Sequence, residues 1–224
     1  MFDAIDRELA PGGVVVFGEI HGTLEAPAMI ARAAEYAATR GPVTVAIEVP
    51  DDVQPGIDAF LATGERASLL VPSAFWSYRD GRGGEGLVAL LAAVRSLRDV
   101  IVVAFDGSFE SAEARDVGMA HAILRAIRPT AACLVSCGNL HARTSEPRWM
   151  GYHLRARHPA LVALDVEIDG GAAFVATAEH AGLRDLGRTT GDPRRGVVRY
   201  AARDEHGFDG AYHVGPATPS LPLS

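Results

Sequence analysis

The chain has 224 residues, 48% hydrophobic, 22% charged and 7% aromatic, with 28 acidic against 21 basic side chains for a net charge of −7. That length predicts one domain over 1–224 with enough buried surface to fold without disulfides or a structural metal. The acidic balance argues against nucleic-acid binding, whose affinity comes from neutralising phosphates, and because all the basic residues are arginine, Schiff-base and P-loop lysine chemistry is excluded.

The first ten residues are acidic and amphipathic, unlike a secretory signal. An apolar run at 14–17 predicts the first strand, followed by Gly18-Glu19-Ile20-His21-Gly22-Thr23. Helical spacing covers 25–40 and stops at Arg40-Gly41-Pro42, a basic last turn, a glycine cap and a proline. A second strand at 43–47 runs into Glu48-Val49-Pro50. The stretch 72–84 packs aromatics and arginines before a helix at 84–97. It reads either as a loop with a Trp plug, or as a rim whose Trp76 and Tyr78 stack on substrate while Arg79 or Arg82 holds an anionic group. The third strand, 100–105, ends in Asp106-Gly107, and a helix follows at 110–127 with Arg115-Asp116 near its front.

A fourth strand at 132–136 leads into Cys137-Gly138-Asn139-Leu140-His141. Cys133 and Cys137, four apart along or beside a strand, are too far apart for a disulfide and read as buried thiols. Runs at 161–168 and 172–177, joined through Asp169-Gly170-Gly171, predict an antiparallel hairpin on the sheet edge. Residues 182–203 read as loop, 211–214 as a last strand, and 216–224 as a loose tail. No apolar run approaches the roughly 20 residues of a membrane span.

Strands alternating with helices at this spacing predict an α/β fold: a mostly parallel central sheet flanked by helices, with an antiparallel edge hairpin. In such a sheet the strands' carboxyl ends share one edge, where ligands of open α/β sheets bind. Glu19, His21, Glu48, Asp106, Asn139 and His141 all follow strand ends, so they converge there. Two imidazoles among carboxylates can activate water, hold a divalent metal, or both. Each residue also has a structural alternative: Asp106-Gly107 as a turn, Asn139 as a cap, His21 as a satisfied buried histidine. Glu48, after five apolar residues, needs a partner, which His21 can supply. His121, His153, His158, His180 and His206 lack such placement and read as surface or packing residues. Glu19-x-His21 has chelating spacing, but HExxH, paired CxxC, DxDxDG and GxSxG motifs are absent from the sequence.

These motifs, in this order, resemble the superfamily of erythromycin esterase-like proteins, ChaN-like haem-binding proteins and Tiki/TraB metalloproteases. The matching pieces are Gly18–Thr23, Glu48, Trp76 ahead of a Leu-rich helix ending in Arg95, Arg115-Asp116 with Met119-Ala120, Gly138-Asn139-Leu140-His141 followed by Met150-Gly151, and Phe208 to His213. The resemblance implies a hydrolase with His21 as general base, Glu48 orienting it, and Glu19 and His141 binding substrate or metal. Erythromycin esterases carry helical insertions for which this chain has no room, so a macrolide is not the expected substrate.

The expectation is therefore a cytoplasmic hydrolase of an ester, lactone or amide in a small molecule or modified peptide, in a biosynthetic or tailoring pathway. Its catalytic residues are His21, Glu48, Glu19 and His141; Trp76, Tyr78, Arg79, Arg115 and Asn139 bind substrate. Glu19, His21, Glu48 and His141 are the ligand set for a divalent Mn, Co or Zn ion. The rival expectation is a non-catalytic haem- or metal-binding protein, with Tyr78, Tyr152, His21 or His141 as axial ligand. No nucleic-acid or membrane partner is expected, and a homodimer is left open.

Overall fold

Branched apolar residues at successive positions leave neither face of a strand polar, and such strands are stable only between two covering layers. The computed structural model describes every residue except 108–109, 177–180 and 224 and the side chain of Tyr78, and it has this arrangement. Strands β1 (Val14–Glu19), β2 (Val43–Pro50), β3 (Val100–Asp106), β4 (Ala132–Gly138), β5 (Val162–Ala176) and β8 (Gly210–Ala217) run parallel in the order β3-β2-β4-β1-β5-β8. The short β7 (Gly196–Arg199) closes that end antiparallel to β8. The expected fold class is what the structure shows.

Period-two alternation divides the strand residues between two cores. Val15, Phe17, Val45 and Ile47 face α1 (Glu25–Ala38), α2 (Gln54–Thr63) and α4 (Glu85–Arg95). Val14, Val16, Ala46, Cys133 and Cys137 face α5 (Ala112–Ala126) and α7 (Met150–Arg157). Both cysteines are free and buried. α5 starts two residues later than expected because the Ser111 hydroxyl accepts the Ala114 N–H at 3.1 Å, an N-cap. Four helices went unread, the single turns α3 (Phe75–Tyr78) and α6 (Asn139–Ala142) and the longer α2 and α7. α2 buries only Gly56, Ile57 and Phe60, and α7 only Met150, Gly151 and Leu154, so neither presents a clear apolar stripe. No described helix is long and apolar enough to cross a membrane.

Three expectations are corrected. The glycines at 170–171 do not turn the chain back: β5 continues through them as one strand of 15 residues. Both have positive φ, and a Cβ on Gly171 would lie 2.3 Å from the Ala217 carbonyl oxygen, so the pair makes a bend under close backbone approach rather than a hairpin turn. The returning strand is β6 (Ala181–Asp185), paired with residues 172–176; position 177 of the expected strand lies outside the described residues. The stretch 182–203 is accordingly not all loop, since it holds most of β6 and all of β7.

The third correction concerns the chain end. Residues 218–223 are a strap rather than a loose tail. Ser220 N–H donates to the Gly22 carbonyl at 2.8 Å, its hydroxyl accepts the Gly86 N–H at 2.8 Å, and Glu85 N–H donates to the Leu221 carbonyl at 2.9 Å. The strap thus fastens the turn after His21 to the start of α4, and Ser220 is almost wholly buried. Replacing Ser220 by alanine leaves the Gly86 N–H buried without a partner, at a cost of about 1–2 kcal/mol. Urea unfolding of Ser220→Ala should show a lower midpoint at unchanged slope; an unshifted midpoint would mean the strap contributes nothing.

Candidate functional site

The carboxyl ends of β1 to β4 open into a crevice of about 570 Å³, lined by His21, Glu48, Arg82, Asp106, Arg115 and His141, with Phe75, Asp51, Asp52 and Asp80 on its walls. Its floor is built on Glu48. A register shift between Ile47 and Pro50 interrupts the β2–β3 ladder where Glu48 sits. The Glu48 side chain is only 4% exposed, so each oxygen needs a donor. Oε2 accepts the Gly138 N–H at 2.7 Å and lies 3.6 Å from His21 Nε2. Oε1 accepts Arg115 Nη2 at 2.8 Å, with Arg82 Nη1 at 3.5 Å and His141 Nε2 at 3.8 Å. Burial by itself would raise the Glu48 pKa, but its neighbours, above all the charge and hydrogen bond of His21, hold it well below the carboxylate range. A Cβ on Gly138 would stand 2.9 Å from His21 Nε2, so glycine is what lets this ring approach Glu48.

His21 Nδ1 donates to Glu19 Oε1 at 2.8 Å. Burial pulls the ring's pKa down, but Glu48 and Glu19 more than offset it, and the value is pushed up to about 10. His21 is therefore an imidazolium at neutral pH. His141 differs. Its Nδ1 faces Asp116 Oδ1 at 2.8 Å, and its Nε2 faces Arg115 Nη1 at 3.0 Å. A guanidinium only donates, so Nε2 accepts, Nδ1 carries the proton, and His141 is neutral. Asp116 is fixed in turn by the Met150 N–H at 2.7 Å.

Arg115 and Arg82 are both tied to carboxylates. Asp106 accepts Arg115 Nε at 2.9 Å, Arg115 Nη2 at 2.8 Å and Arg82 Nη1 at 2.7 Å. Arg82 Nε also donates to Asp80 at 2.8 Å. Burial favours the neutral form of Asp106, and the two guanidiniums overcome it and lower its pKa. Exposure separates the roles: the side chains of His21, His141 and Arg115 are 21%, 19% and 28% exposed, so ligand meets these, whereas Glu48, Asp106 and Asp116 stand behind them.

Of the expected site residues, the structure brings together His21, Glu48, Asp106, His141 and Arg115, with Glu19 backing His21 beside a separate 30 Å³ cavity. Asn139 turns instead to Asp165. Trp76 packs edge-on against Phe75 at 4.9 Å and shares with Arg79 a small hollow beneath the chain-end strap, away from the crevice. The Tyr78 side chain and His180 lie outside the described residues. Arg115 and Asp116 do not pair with each other. Asp80, two residues before Arg82 in a loop, carried no sequence signal of its role.

The ligand set expected for a divalent metal is not arranged as one in the structure. No three described His, Cys, Asp or Glu side chains form a group able to hold an ion. Both Nδ1 atoms are engaged by carboxylates, the Glu48 oxygens take a backbone N–H and a guanidinium, and the arginines already supply the positive charge a metal would bring.

No family model matches the chain, and no curated protein sequence does. Solved structures match in fold. A Bacillus cereus protein has a TM-score of 0.73 at 11% identity, covering 100% of this chain and 93% of its own. A succinoglycan biosynthesis protein has 0.74 at 10%, covering 99% and 92%. ChaN of Campylobacter jejuni, which binds haem cofacially, has 0.53 at 10%, covering 83% and 92%. At these identities the likeness is one of fold.

The raised pKa of His21 sets a pH dependence. Its charge–charge stabilisation is complete below the ordinary histidine pKa of about 6.5 and is lost as pH rises through about 10. The buried Cys133 and Cys137 thiols, whose pKa values burial raises, add a loss of their own on the alkaline side. Thermal melts from pH 7 to 10.5 should therefore fall more steeply for wild type than for His21→Gln; parallel curves would rule out a cationic His21.

Proposed function

We propose that this crevice hydrolyses a neutral carbonyl compound, an ester, lactone or amide in a small molecule or modified peptide, in a biosynthetic or tailoring pathway. One observation carries the reading: two imidazoles flank a single buried carboxylate, one cationic and one neutral. Titratable groups driven apart by their surroundings are how a site obtains an acid and a base at the same pH. The role of general base, which the family resemblance gives to His21, does not suit a ring that already carries its proton. His141, oriented by Asp116, is the base, and it takes a proton from the attacking water. His21 and Arg115 stabilise the oxyanion, and Glu48 and Glu19 keep His21 charged. The proton on His141 passes to the leaving oxygen or nitrogen, yielding a carboxylic acid with an alcohol or amine.

A second reading, haem binding, is supported by the fold likeness to ChaN. The crevice does not fit that group: among the described lining residues Phe75 is the one Phe, Tyr or Trp, four aspartates (Asp51, Asp52, Asp80 and Asp106) share the walls with it, and both nitrogens of each histidine face polar partners. Tyr152 is exposed on α7, away from the crevice lining.

On a panel of aryl esters, lactones and anilides, His141→Ala and His21→Ala should each lower turnover by about 10²–10⁴-fold with circular dichroism unchanged, and dialysis against a chelator should leave the rate as it was. Absence of turnover across the panel, combined with a Soret band on haem addition, would overturn the hydrolase reading in favour of the second.

A further inference from the structure

Two consecutive residues at the front of α5 hold both nitrogens of one imidazole. Asp116 takes the Nδ1 proton of His141, and Arg115 Nη1 donates to its Nε2. A guanidinium has five N–H groups. Here Nε–H goes to Asp106 Oδ1, the two on Nη2 go to Glu48 Oε1 and Asp106 Oδ2, and one on Nη1 goes to His141. The fifth, also on Nη1, has no partner among the described residues. Arg115 is thus anchored on its Nε and Nη2 sides by carboxylates and open to the crevice on the Nη1 side. A lone pair engaged by a cation cannot take a proton from water, so the resting base is blocked.

We infer that Arg115 is a catalytic residue that caps the base at rest and is drawn off it by substrate; this rests on the hydrolase reading. The exchange is favourable because a neutral imidazole is a weaker acceptor for a guanidinium than a developing oxyanion. As water attacks the carbonyl carbon, the C=O π pair moves to oxygen and receives the Nη1–H. His141 Nε2, now free, accepts the water proton. When the tetrahedral species collapses, the leaving atom departs with the bonding pair and takes that proton, and Arg115 returns to Nε2. The cap keeps the base closed until a carbonyl occupies the position that needs it.

Phenylboronic acid tests this. It is neutral, and it adds water at boron to give a tetrahedral anion, releasing a proton for His141. With ¹⁵N-histidine-labelled protein, the His141 Nε2 resonance of Arg115→Gln should differ from wild type before any addition, because the cap is missing. On adding the boronic acid to wild type, that resonance should move into the protonated range while the ¹¹B signal becomes tetrahedral. In Arg115→Gln the boronate should bind at least about tenfold more weakly, and kcat should fall by about 10²-fold with little change in KM. If Arg115→Gln does not fold, Arg115→Lys serves, since one ammonium cannot span Asp106, Glu48 and His141. Coincident wild-type and variant resonances, boronate binding that leaves Nε2 unmoved, or no boronate binding would each overturn the cap. Turnover without the resonance change defeats the cap alone. A resonance change without turnover of any substrate defeats the hydrolase reading and with it the catalytic role of Arg115, leaving only its hydrogen bond to His141 at rest.

Discussion

Everything at the strand ends is arranged around one costly placement, the ionised Glu48 carboxylate in a nearly closed floor. An isolated buried carboxylate would take up a proton rather than stay charged. It stays charged because donors converge on it from four separate parts of the chain: the Gly138 N–H at the end of β4, His21 after β1, Arg115 on α5 and Arg82 in the loop before α4. The parallel sheet makes this convergence feasible, since it delivers β1, β2 and β4 side by side at the same edge.

From that carboxylate the site divides into two unequal halves. On one side Glu19 and Glu48 bracket His21 with negative charge and keep it protonated. On the other, Asp116 orients His141 while Arg115 prevents it from donating toward Glu48. Both rings have a carboxylate on Nδ1, so it is the partner on Nε2, an anion for one and a cation for the other, that decides which ring is cationic and which is neutral. The exposures agree: the two imidazoles and Arg115 face solvent, and the carboxylates that set their states stand behind them.

The parts legible in the sequence are those whose physics is local. Strands covered on both faces read as uninterrupted branched apolar runs, and Glu48, Asp106 and His141 were found because they follow such runs at strand ends. Illegible parts take their order from distant partners. Residues 218–223 look like a Pro-rich tail until Gly22, Glu85 and Gly86 are seen to supply their hydrogen bonds. β6 and β7 are short and largely exposed because they lie at sheet margins, where burial imposes no alternation. Trp76 sat in the right stretch of sequence but packs on Phe75, outside the crevice. Arg115 and Asp116 were visible as a neighbouring pair. That one turns to Asp106 and Glu48 and the other to His141 depends on strands and helices far apart in the chain.

The pairing of charges also constrains what the crevice accepts. Arg82 is bound by Asp80 and Asp106, and Arg115 by Asp106 and Glu48, so the charge of each guanidinium is already balanced by carboxylates, and Arg115 offers the crevice only its Nη1 side. Asp51 and Asp52 at the mouth add negative charge to the approach. A carboxylate or phosphate ligand would be repelled on entry and would meet guanidiniums whose charge is already balanced. A neutral carbonyl meets neither obstacle, since it needs only one N–H while uncharged and gains a strong interaction as its oxygen becomes negative. Stabilisation that grows with the charge of the transition state is what accelerates a reaction, whereas tight binding of the ground state does not. On the proposed hydrolase reading, the paired arginines therefore suit this site to an ester, lactone or amide better than to an acid.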